Sequence, residues 1–316
     1  MERPVRDIAV IMPARNAADT IAEAVESVLS QIPAVLELIV VDDGSTDATR
    51  DVLDSVMDPR VTVLSCPGVG CGAARNRGLD AARGELIAFM DADDVWLPGK
   101  LAAQVAVLES APGAMVAYSW SEDIDVSGAR TGGYCRLTRN GDVRRALLLR
   151  NFLGNGSTPL LYRSVLTETG GFDEALPACE DWDLWLRLAE RHAFVCVPQT
   201  YVLYRRSEAS MSSDLPLMNT TAARVIERAY DRAPAHLQSQ KGHTYSILNR
   251  HFAVQALSMA ARARSSARER ELVIASTKYL YRSVLWSPMR SLISRTVWAT
   301  GLRLLIAVAT ARRATA

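Results

Sequence analysis

Apolar residues follow two alternating patterns along the first third of the chain. Short β-branched runs, such as residues 8–12 and 36–41, alternate with longer segments in which apolar residues recur every three or four positions, as in residues 18–31. The first pattern predicts buried strands and the second predicts amphipathic helices. Their regular alternation is typical of an α/β domain with a largely parallel sheet.

The rest of the chain changes character at about Thr220. Residues 126–158 show neither pattern clearly, whereas from Thr220 onward the pattern is helical and rich in alanine and arginine. We therefore predict an α/β domain over residues 1–220 and an α-helical region over residues 221–316. Strands are predicted at residues 8–12, 36–41, 61–64, 85–90, 115–120, 160–163 and 194–204, and helices at residues 18–31, 47–56, 73–83, 99–110, 164–169 and 180–192.

The charge is distributed unevenly between these two parts. Residues 1–220 carry 20 Lys and Arg against 31 Asp and Glu, a net charge of −11, while residues 221–316 carry 16 against 4, a net charge of +12. An acidic domain that handles anionic substrates needs cations to neutralise its carboxylates. The basic region suits phospholipid, nucleic acid or the acidic domain itself, and composition leaves these partners open.

Cysteine usage and the apolar stretches predict a cytoplasmic protein. The five cysteines are scattered and include no C-x-x-C pair, which favours a reducing compartment. The first apolar stretch is too short for a signal peptide. Residues 296–311 are interrupted by Arg303 and fall short of the roughly 18 residues that span a bilayer, so we predict no transmembrane helix.

Two predicted strands end in acidic clusters. Asp42 and Asp43 follow one strand, and Asp91, Asp93 and Asp94 follow another. Ligands of an open parallel sheet bind beyond the carboxyl ends of its strands, so both clusters should line one edge. Carboxylates gathered there repel each other unless a cation is present, and Mg²⁺ or Mn²⁺ takes such oxygen ligands. The alternative is that these aspartates begin turns and cap helices.

A third acidic group begins the predicted helix 180–192. Glu180 and Asp181 stand beside Trp182 and Trp185. Acidic residues at a helix start are stabilised by the helix dipole, which is a sufficient structural role. Tryptophans that desolvate a carboxylate would also raise its pKa, as general-base activation of a hydroxyl requires.

These clusters, in their order and spacing, resemble the family 2 glycosyltransferases of the GT-A fold. The resemblance covers about residues 6–212, two thirds of the chain. It rests on residues 10–16 (VIMPARN), 39–47 (IVVDDGSTD), 73–78 (AARNRG), 89–94 (FMDADD), 171–174 (GFDE), 180–183 (EDWD) and 204–206 (YRR).

The resemblance implies a fold and a reaction. The fold is a Rossmann-like, largely parallel sheet flanked by helices, here with an α-helical C-terminal extension. The reaction is the metal-dependent, inverting transfer of a sugar from a nucleotide-diphosphate donor, with UDP or dTDP as the nucleotide and Mg²⁺ or Mn²⁺ as the cofactor. The acceptor is a hydroxyl of a glycan, a lipid-linked glycan or another molecule, as in the synthesis of cell-surface polysaccharide, glycolipid or glycoconjugate.

Roles for single residues also come from the resemblance. It implies that Asp43 accepts a hydrogen bond from the pyrimidine base, that Asp91 and Asp93 hold the ribose and the metal, and that Asp181 is the catalytic base, with Glu180 beside it. Arg75 would lie near the base and the phosphates. The remaining donor-site residues are Pro13, Arg15, Asn16, Asp42 and Ala92.

The sequence departs from the family pattern at two positions. Arg15 stands where the first loop usually has an aromatic residue, so that stacking on the base is replaced by a guanidinium face or lost. Ser207 stands where many relatives have a histidine, which removes one ligand for metal or phosphate.

Two other functions compete with this interpretation. Residues 68–73 read G-x-G-x-x-A after a strand, and Asp91 follows about twenty residues later, as in a nicotinamide-dependent oxidoreductase. That fold does not account for Asp42, Asp43 or Glu180. The other rival is a degenerate GT-A module that binds a sugar nucleotide without transferring the sugar.

The basic region predicts a further contact. Its last helix has an apolar face flanked by arginines, which suits either peripheral contact with the cytoplasmic face of a membrane or packing on the acidic domain or a second subunit. No nucleic-acid partner is predicted, and a homodimer is left open. The apolar positions are Leu292, Ile293, Val297, Trp298, Leu302, Leu305 and Ile306, and the flanking arginines are Arg290, Arg295, Arg303, Arg312 and Arg313.

Overall fold

The computed structural model describes residues 7–31, 35–207, 210–263, 265–288 and 294–313, with side chains as far as Leu304. The chain divides into two compact units. One comprises Met1–Leu147 and Asn151–Ser213, and the other comprises Leu148–Arg150 and Asp214–Ala316.

The first unit contains one mixed β-sheet. In the described residues its strand order is β3-β2-β1-β4-β8-β6-β9-β5, with β7 paired to β6. The strands are β1 (Ile8–Ala14), β2 (Glu37–Asp43), β3 (Val61–Cys66), β4 (Leu86–Phe89), β5 (Val95–Trp96), β6 (Ala114–Ile124), β7 (Arg130–Cys135), β8 (Pro159–Tyr162) and β9 (Ala193–Arg205).

The strands differ in direction between the two halves of the sheet. Strands β3, β2, β1 and β4 are all parallel to one another. Residues of β1, β2 and β4 are buried throughout, as expected for a sheet covered on both faces. In the second half, β8 is antiparallel to β4 and β6, β9 is parallel to β6, and β5 and β7 are antiparallel edge strands.

Helices cover this sheet. Helix α1 buries Ile21, Ala24, Val25 and Val28, which share one helical face. In α3, a Cβ built on Gly78 would lie 2.4 Å from Cγ2 of Ile11, so only glycine permits this approach to β1. The helices are α1 (Ile21–Leu29), α2 (Thr49–Asp54), α3 (Cys71–Ala81), α4 (Lys100–Ser110), α5 (Arg144–Leu149), α6 (Arg163–Thr169) and α7 (Glu180–Leu188).

The second unit is helical. Its first helix is capped by Asp214, whose side chain accepts a hydrogen bond of 3.0 Å from the backbone N–H of Leu217. Thr220, where the composition changes, lies inside this helix. The helices are α8 (Leu215–Asp231), α9 (Ala235–Gln238), α10 (Lys241–Ala260), α11 (Ser266–Trp286) and α12 (Arg295–Arg313).

Helices α10 and α11 pack against each other in antiparallel directions. The hydroxyl of Ser276 donates to the carbonyl of Ala253 at 2.7 Å, and that of Ser283 donates to the carbonyl of Ser246 at 2.9 Å. These buried serines fix the rotation of α11 relative to α10.

Several boundaries differ from the sequence prediction. The strands β2 and β3 extend to Asp43 and Cys66, and α7 ends at Leu188 rather than at residue 192. In the first unit, the strands β5 and β7 and the helix α5 were not predicted. Strand β5 has two residues, and β7 is an edge strand with the sequence RTGGYC, which lacks apolar alternation.

Part of the predicted apolar face near the C-terminus falls on described residues. Trp298 and Leu302 are 65% and 61% exposed. Arg290, Leu292 and Ile293 lie outside the described residues, as do the side chains of Leu305, Ile306, Arg312 and Arg313. Among the described helices, none is long and apolar enough to cross a membrane.

Candidate active site

Asp43, at the end of β2, holds the Gly-rich loop that precedes α3. Its side chain is 4% exposed. Its Oδ1 accepts a hydrogen bond of 2.6 Å from the N–H of Val69, and its Oδ2 accepts one of 2.9 Å from the N–H of Gly70. In a dinucleotide fold such amides bind pyrophosphate. Here Asp43 already occupies them, which argues against the oxidoreductase alternative.

The loops after β1 and β2 are joined by hydrogen bonds. Asn16 adopts a left-handed backbone with φ of 50°. Its N–H donates to Oγ of Ser45 at 3.0 Å, and its Oδ1 accepts from the N–H of Thr46 at 2.8 Å. Asp42 stabilises the same turn by accepting from the N–H of Ser45 at 3.0 Å.

Arg15 lies next to this cluster. It is exposed, and its Nη1 would be 3.6 Å from a Cβ built on Gly68. Pro13 is buried in β1 beside Val41. The structure thus groups Arg15, Asn16, Asp42 and Asp43 around the loops at one edge of the sheet.

A buried ion-pair triad forms the second group. Nη1 of Arg75 lies 2.5 Å from Oε1 of Glu180, and Nη2 lies 2.5 Å from Oδ1 of Asp91. Arg75 and Glu180 are 3% and 6% exposed. The guanidinium also lies 5.3 Å from the ring centre of Phe172. Burial lowers the pKa of Arg75, but Cys71, Asp91 and Glu180 outweigh it and raise the pKa well above its ordinary value.

Hydrogen bonds to Ser157 and Arg205 hold the turn that follows β4. The hydroxyl of Ser157 accepts from the N–H of Asp91 at 3.0 Å and donates to Oδ2 of Asp94 at 2.5 Å. Asp94 is fully buried, and its Oδ1 accepts from the N–H of Arg205 at 3.0 Å. Burial, followed by the charges of Asp93 and Asp91, raises the pKa of Asp94 well above its usual value. Asp94 therefore shapes the turn, whereas Asp91 and Asp93 are partly exposed.

Asp91 and Asp93 form a two-carboxylate group that fits a hard cation. Burial, and then the charge of Asp91, raise the pKa of Asp93 to about 6. In the described part of the chain no cluster of three or more His, Cys, Asp or Glu residues could hold a metal ion. A pair of carboxylates suits Mg²⁺ or Mn²⁺ when phosphate oxygens and water complete the coordination. Ala92, between them, is 6% exposed and contributes its backbone to the turn.

Asp181 stands apart from the triad at the start of α7. The helix follows Cys179, which has a left-handed φ of 56°. Oδ1 of Asp181 accepts from the N–H of Trp182 at 2.6 Å, and Oδ2 accepts from Nδ2 of Asn151 at 3.2 Å. Burial, and then the charge of Glu180, raise its pKa to about 7, against the opposing effect of Arg75.

Sequence reasoning missed the loop that joins these groups. Asn151, Gly156 and Ser157 belong to the segment 126–158, which has no legible periodicity. A Cβ on Gly156 would lie 2.9 Å from Nη2 of Arg75, so a side chain at this position would displace the guanidinium of the triad. The cluster of Asn, Gly, Ser and Thr at residues 154–158, directly before an apolar strand, was the available signal.

In the tyrosine-arginine motif at residues 204–206, the first arginine has a structural role. Arg205 is 5% exposed; its Nε donates to the carbonyl of Asp93 at 2.8 Å and its Nη2 to Glu23 at 2.6 Å. Arg206 contacts Asp123 at 3.2 Å. Arg205 therefore supports the acidic turn from its inner side.

Comparison with known proteins gives one family. The sequence model described as "Glycosyltransferase like family 2" matches residues 9–254. The chain is 32% identical over 240 residues to the succinoglycan biosynthesis protein ExoO of Rhizobium meliloti (strain 1021), covering 72% of this chain and 69% of ExoO. Some other curated glycosyltransferases are matched over only 31% to 33% of their own length.

A second relative and a solved structure extend the comparison. The chain is 28% identical over 245 residues to the UDP-Glc:α-D-GlcNAc-diphosphoundecaprenol β-1,3-glucosyltransferase WfgD of Escherichia coli, covering 77% of this chain and 91% of WfgD. The mannosyltransferase PcManGT of Pyrobaculum calidifontis, solved with GDP-Man and Mn²⁺, superposes with a TM-score of 0.57 at 19% identity. That match covers 96% of this chain and 91% of the other. This likeness confirms the fold class predicted from the sequence.

Proposed function

The chain belongs to glycosyltransferase family 2 and is a glycosyltransferase, and on that premise we propose that it transfers a sugar from a nucleotide-diphosphate donor to an acceptor hydroxyl with inversion. The observation that carries the proposal is the placement of Asp181. It is a half-buried carboxylate with a pKa raised to about 7, next to the Arg75 triad and outside it. Such a group is suited to accept a proton near neutral pH.

Inversion follows from a single displacement. The acceptor oxygen forms a bond to the anomeric carbon as the bond from that carbon to the diphosphate oxygen breaks, and the hydroxyl proton passes to Asp181. A retaining route through a covalent intermediate needs a carboxylate nucleophile. Glu180, the neighbouring carboxylate, is engaged by Arg75 at 2.5 Å, which supports a positioning role for it.

The donor's nucleotide would bind at the edge formed by the loops after β1 and β2. Oδ1 of Asp43 accepts from the N–H of Val69 and from the thiol of Cys66, whereas Oδ2 accepts from the N–H of Gly70, so a lone pair of Oδ2 remains for the N–H of a pyrimidine base. Arg15 would offer its exposed guanidinium to the base. The donor is UDP- or dTDP-linked, and the name of WfgD, a UDP-Glc-dependent relative, supports UDP.

Asp91 and Asp93 would hold the divalent metal. A bound Mg²⁺ or Mn²⁺ neutralises charge on the diphosphate leaving group. The Mn²⁺ and GDP-Man in PcManGT support this assignment by analogy of fold. Arg75 acts on the metal site indirectly, because it is buried and orients Asp91.

The acceptor would be a lipid-linked or other glycan hydroxyl in polysaccharide or glycolipid synthesis, at the cytoplasmic side of the membrane. ExoO is named for succinoglycan biosynthesis and WfgD for a diphosphoundecaprenol-linked acceptor, which supports this class.

The test is a transfer assay. Purified full chain is first screened against UDP- and dTDP-sugars with Mn²⁺ by thermal shift, because a ligand that binds only the native state raises stability by about 2.7 kcal/mol at a hundredfold excess over Kd. The donor that binds is then supplied with lipid-linked glycan acceptors, and the anomeric configuration of the product is read by NMR. Donor binding without transfer would favour the degenerate module, and a retained configuration would refute the single displacement.

A further inference from the structure

Helix α11 exposes several of its large apolar side chains. Ile274, Tyr281 and Leu285 are 55%, 65% and 60% exposed. At 3.6 residues per turn they lie within an arc of roughly 40° on one face, here called the α11 stripe. The opposite face is buried and carries Leu272, Ser276, Tyr279 and Ser283. The α11 stripe is therefore additional to the apolar residues with which the helix packs in its own unit.

The rotation that exposes the α11 stripe is fixed from within the unit. The hydroxyls of Ser276 and Ser283 donate to backbone carbonyls of α10 at 2.7 Å and 2.9 Å. Turning α11 to bury Ile274 would break both bonds and move the hydroxyls of Ser276 and Ser283 away from α10. The stripe therefore faces outward because the helix is anchored by its serines.

Basic residues accompany the stripe. Lys278 and Arg282 are exposed and lie within roughly 80° of Ile274 around the helix. Helix α11 contains four basic residues and two acidic ones; Glu271, one turn before Ile274, pairs with Arg268, and the sequence from Leu272 to Arg313 contains seven basic residues and no acidic one. The surface thus combines aliphatic side chains, a tyrosine and an unbalanced positive charge.

We propose that the α11 stripe docks on the surface of an anionic phospholipid bilayer. Ile274, Tyr281 and Leu285 enter the interfacial region, where an aromatic ring with a hydroxyl is well accommodated. Lys278 and Arg282 lie at the level of the lipid phosphates, toward which long basic side chains extend. This surface lies on the second unit, and the inference does not depend on the proposed reaction.

Other occupants fit the surface less well. A two-fold interface between two copies would set Lys278 and Arg282 against the same charges of the second chain, and the acidic residue next to the stripe, Glu271, already pairs with Arg268. A nucleic acid would satisfy the basic residues but would leave Ile274 and Leu285 in water, because phosphate contacts dominate such binding.

Vesicle flotation tests the proposal. The full chain is mixed at low salt with vesicles of phosphatidylcholine alone or of phosphatidylcholine with phosphatidylglycerol, and the fraction that floats is measured. We expect flotation with the anionic vesicles and little with the neutral ones. A chain that stays in the soluble fraction with both, or that floats equally with both, would overturn the proposal.

Substitutions test whether the α11 stripe is the surface that contacts the lipid. Ile274→Glu combined with Leu285→Glu should weaken binding to anionic vesicles by at least about tenfold. The matched control is Met57→Glu combined with Val254→Glu, which adds the same two charges at apolar positions that are 93% and 38% exposed elsewhere. Lys278→Glu combined with Arg282→Glu should remove the preference for anionic lipid. Thermal unfolding of every variant checks that the fold is retained.

Two further outcomes would contradict lipid docking at the α11 stripe. If the stripe variant floats as well as its matched control, another surface carries the lipid contact. If light scattering shows that the full chain self-associates, and the stripe variant abolishes that association while leaving flotation unchanged, the partner is a second copy of the chain.

Discussion

Asn151 donates a hydrogen bond from its Nδ2 to Oδ2 of Asp181 across 3.2 Å. The reverse amide orientation would set Oδ1 against a carboxylate, so the charge of Asp181 selects the donor end. A hydrogen bond to the charged form of a carboxylate lowers its pKa, against the burial that raises the pKa of Asp181 to about 7. Asn151 is therefore a positioning residue for the proposed base.

Replacing Asn151 should shift the pH dependence of transfer. The base works when deprotonated, so the rate falls as the pH drops through its pKa. Asn151→Ala removes a donor that favours the charged form; the pKa rises, and the acid limb of kcat/KM should move to higher pH by on the order of one unit. Asn140→Ala is the control. It also removes a hydrogen-bonded amide, but one that accepts from the N–H of Cys196 at 2.8 Å and not one that donates to Asp181. A lower rate with an unmoved acid limb would make the role of Asn151 structural.

Asp181→Asn should abolish most of the transfer while leaving donor binding intact. The amide cannot take the hydroxyl proton, so kcat should fall by on the order of 10²–10⁴. Donor affinity, measured by thermal shift, should not change. Asp51→Asn, at an exposed carboxylate of α2, is the control. Equal losses of binding and rate would instead show that Asp181 supports the fold of the site.

Asp93→Ala should abolish metal-dependent donor binding. The variant loses one of the two carboxylates proposed to hold the cation, and the fold should survive because Asp94, Ser157 and Arg205 brace the turn. The thermal shift produced by donor with Mn²⁺, with and without EDTA, measures the effect. Asp80→Ala, at an exposed position of α3, is the control. Full turnover in EDTA by the unaltered chain would contradict metal dependence.

Removing Arg75 should destabilise the protein strongly. Arg75→Met leaves the carboxylates of Asp91 and Glu180 without their shared counter-charge, and breaking a buried pair in this way costs about 3–5 kcal/mol in the free energy of unfolding. Adding Glu180→Gln should recover part of that loss, because one uncompensated charge disappears. Urea denaturation of the two single variants and the double variant measures this coupling. Additive losses would show that the residues do not interact.

Two glycines should respond oppositely to alanine. Gly78→Ala places a Cβ 2.4 Å from Ile11 and should cost about 1–3 kcal/mol through overpacking. Gly301→Ala, inside α12 with no atom within 4 Å of the new Cβ, should stabilise by about 0.5–1 kcal/mol through helix propensity. Urea denaturation compares them. A loss of stability at Gly301 equal to that at Gly78 would contradict the assignment of the Gly78 loss to its contact with Ile11.

The parallel half of the sheet could be predicted because its strands are continuous apolar runs. The strand ends then locate Asp43 and Asp91 at one edge by topology alone. The second half could not be read in the same way, since the apolar run of β8 fits an antiparallel partner as well as a parallel one. The resemblance inferred from the motifs is confirmed by the family match to residues 9–254.

The sequence names candidate site residues but not the contacts between them. The resemblance implies that Arg75 lies near the base and the phosphates, and its partners within the chain are Glu180, 105 positions away, and Asp91. No local pattern encodes such a pair. Asn151 and Ser157 lie in an irregular loop. Their roles depend on the position of that loop, which is set by the strand β8 that follows it.

The bonds from Val69 and Gly70 to Asp43 have a consequence for binding at this edge of the sheet. A glycine-rich loop ordinarily loses conformational entropy when a ligand orders it, and that loss weakens affinity. Here the buried carboxylate orders the loop when the chain folds. The loop is thus preorganised, and a ligand that binds against it keeps more of its contact energy as affinity.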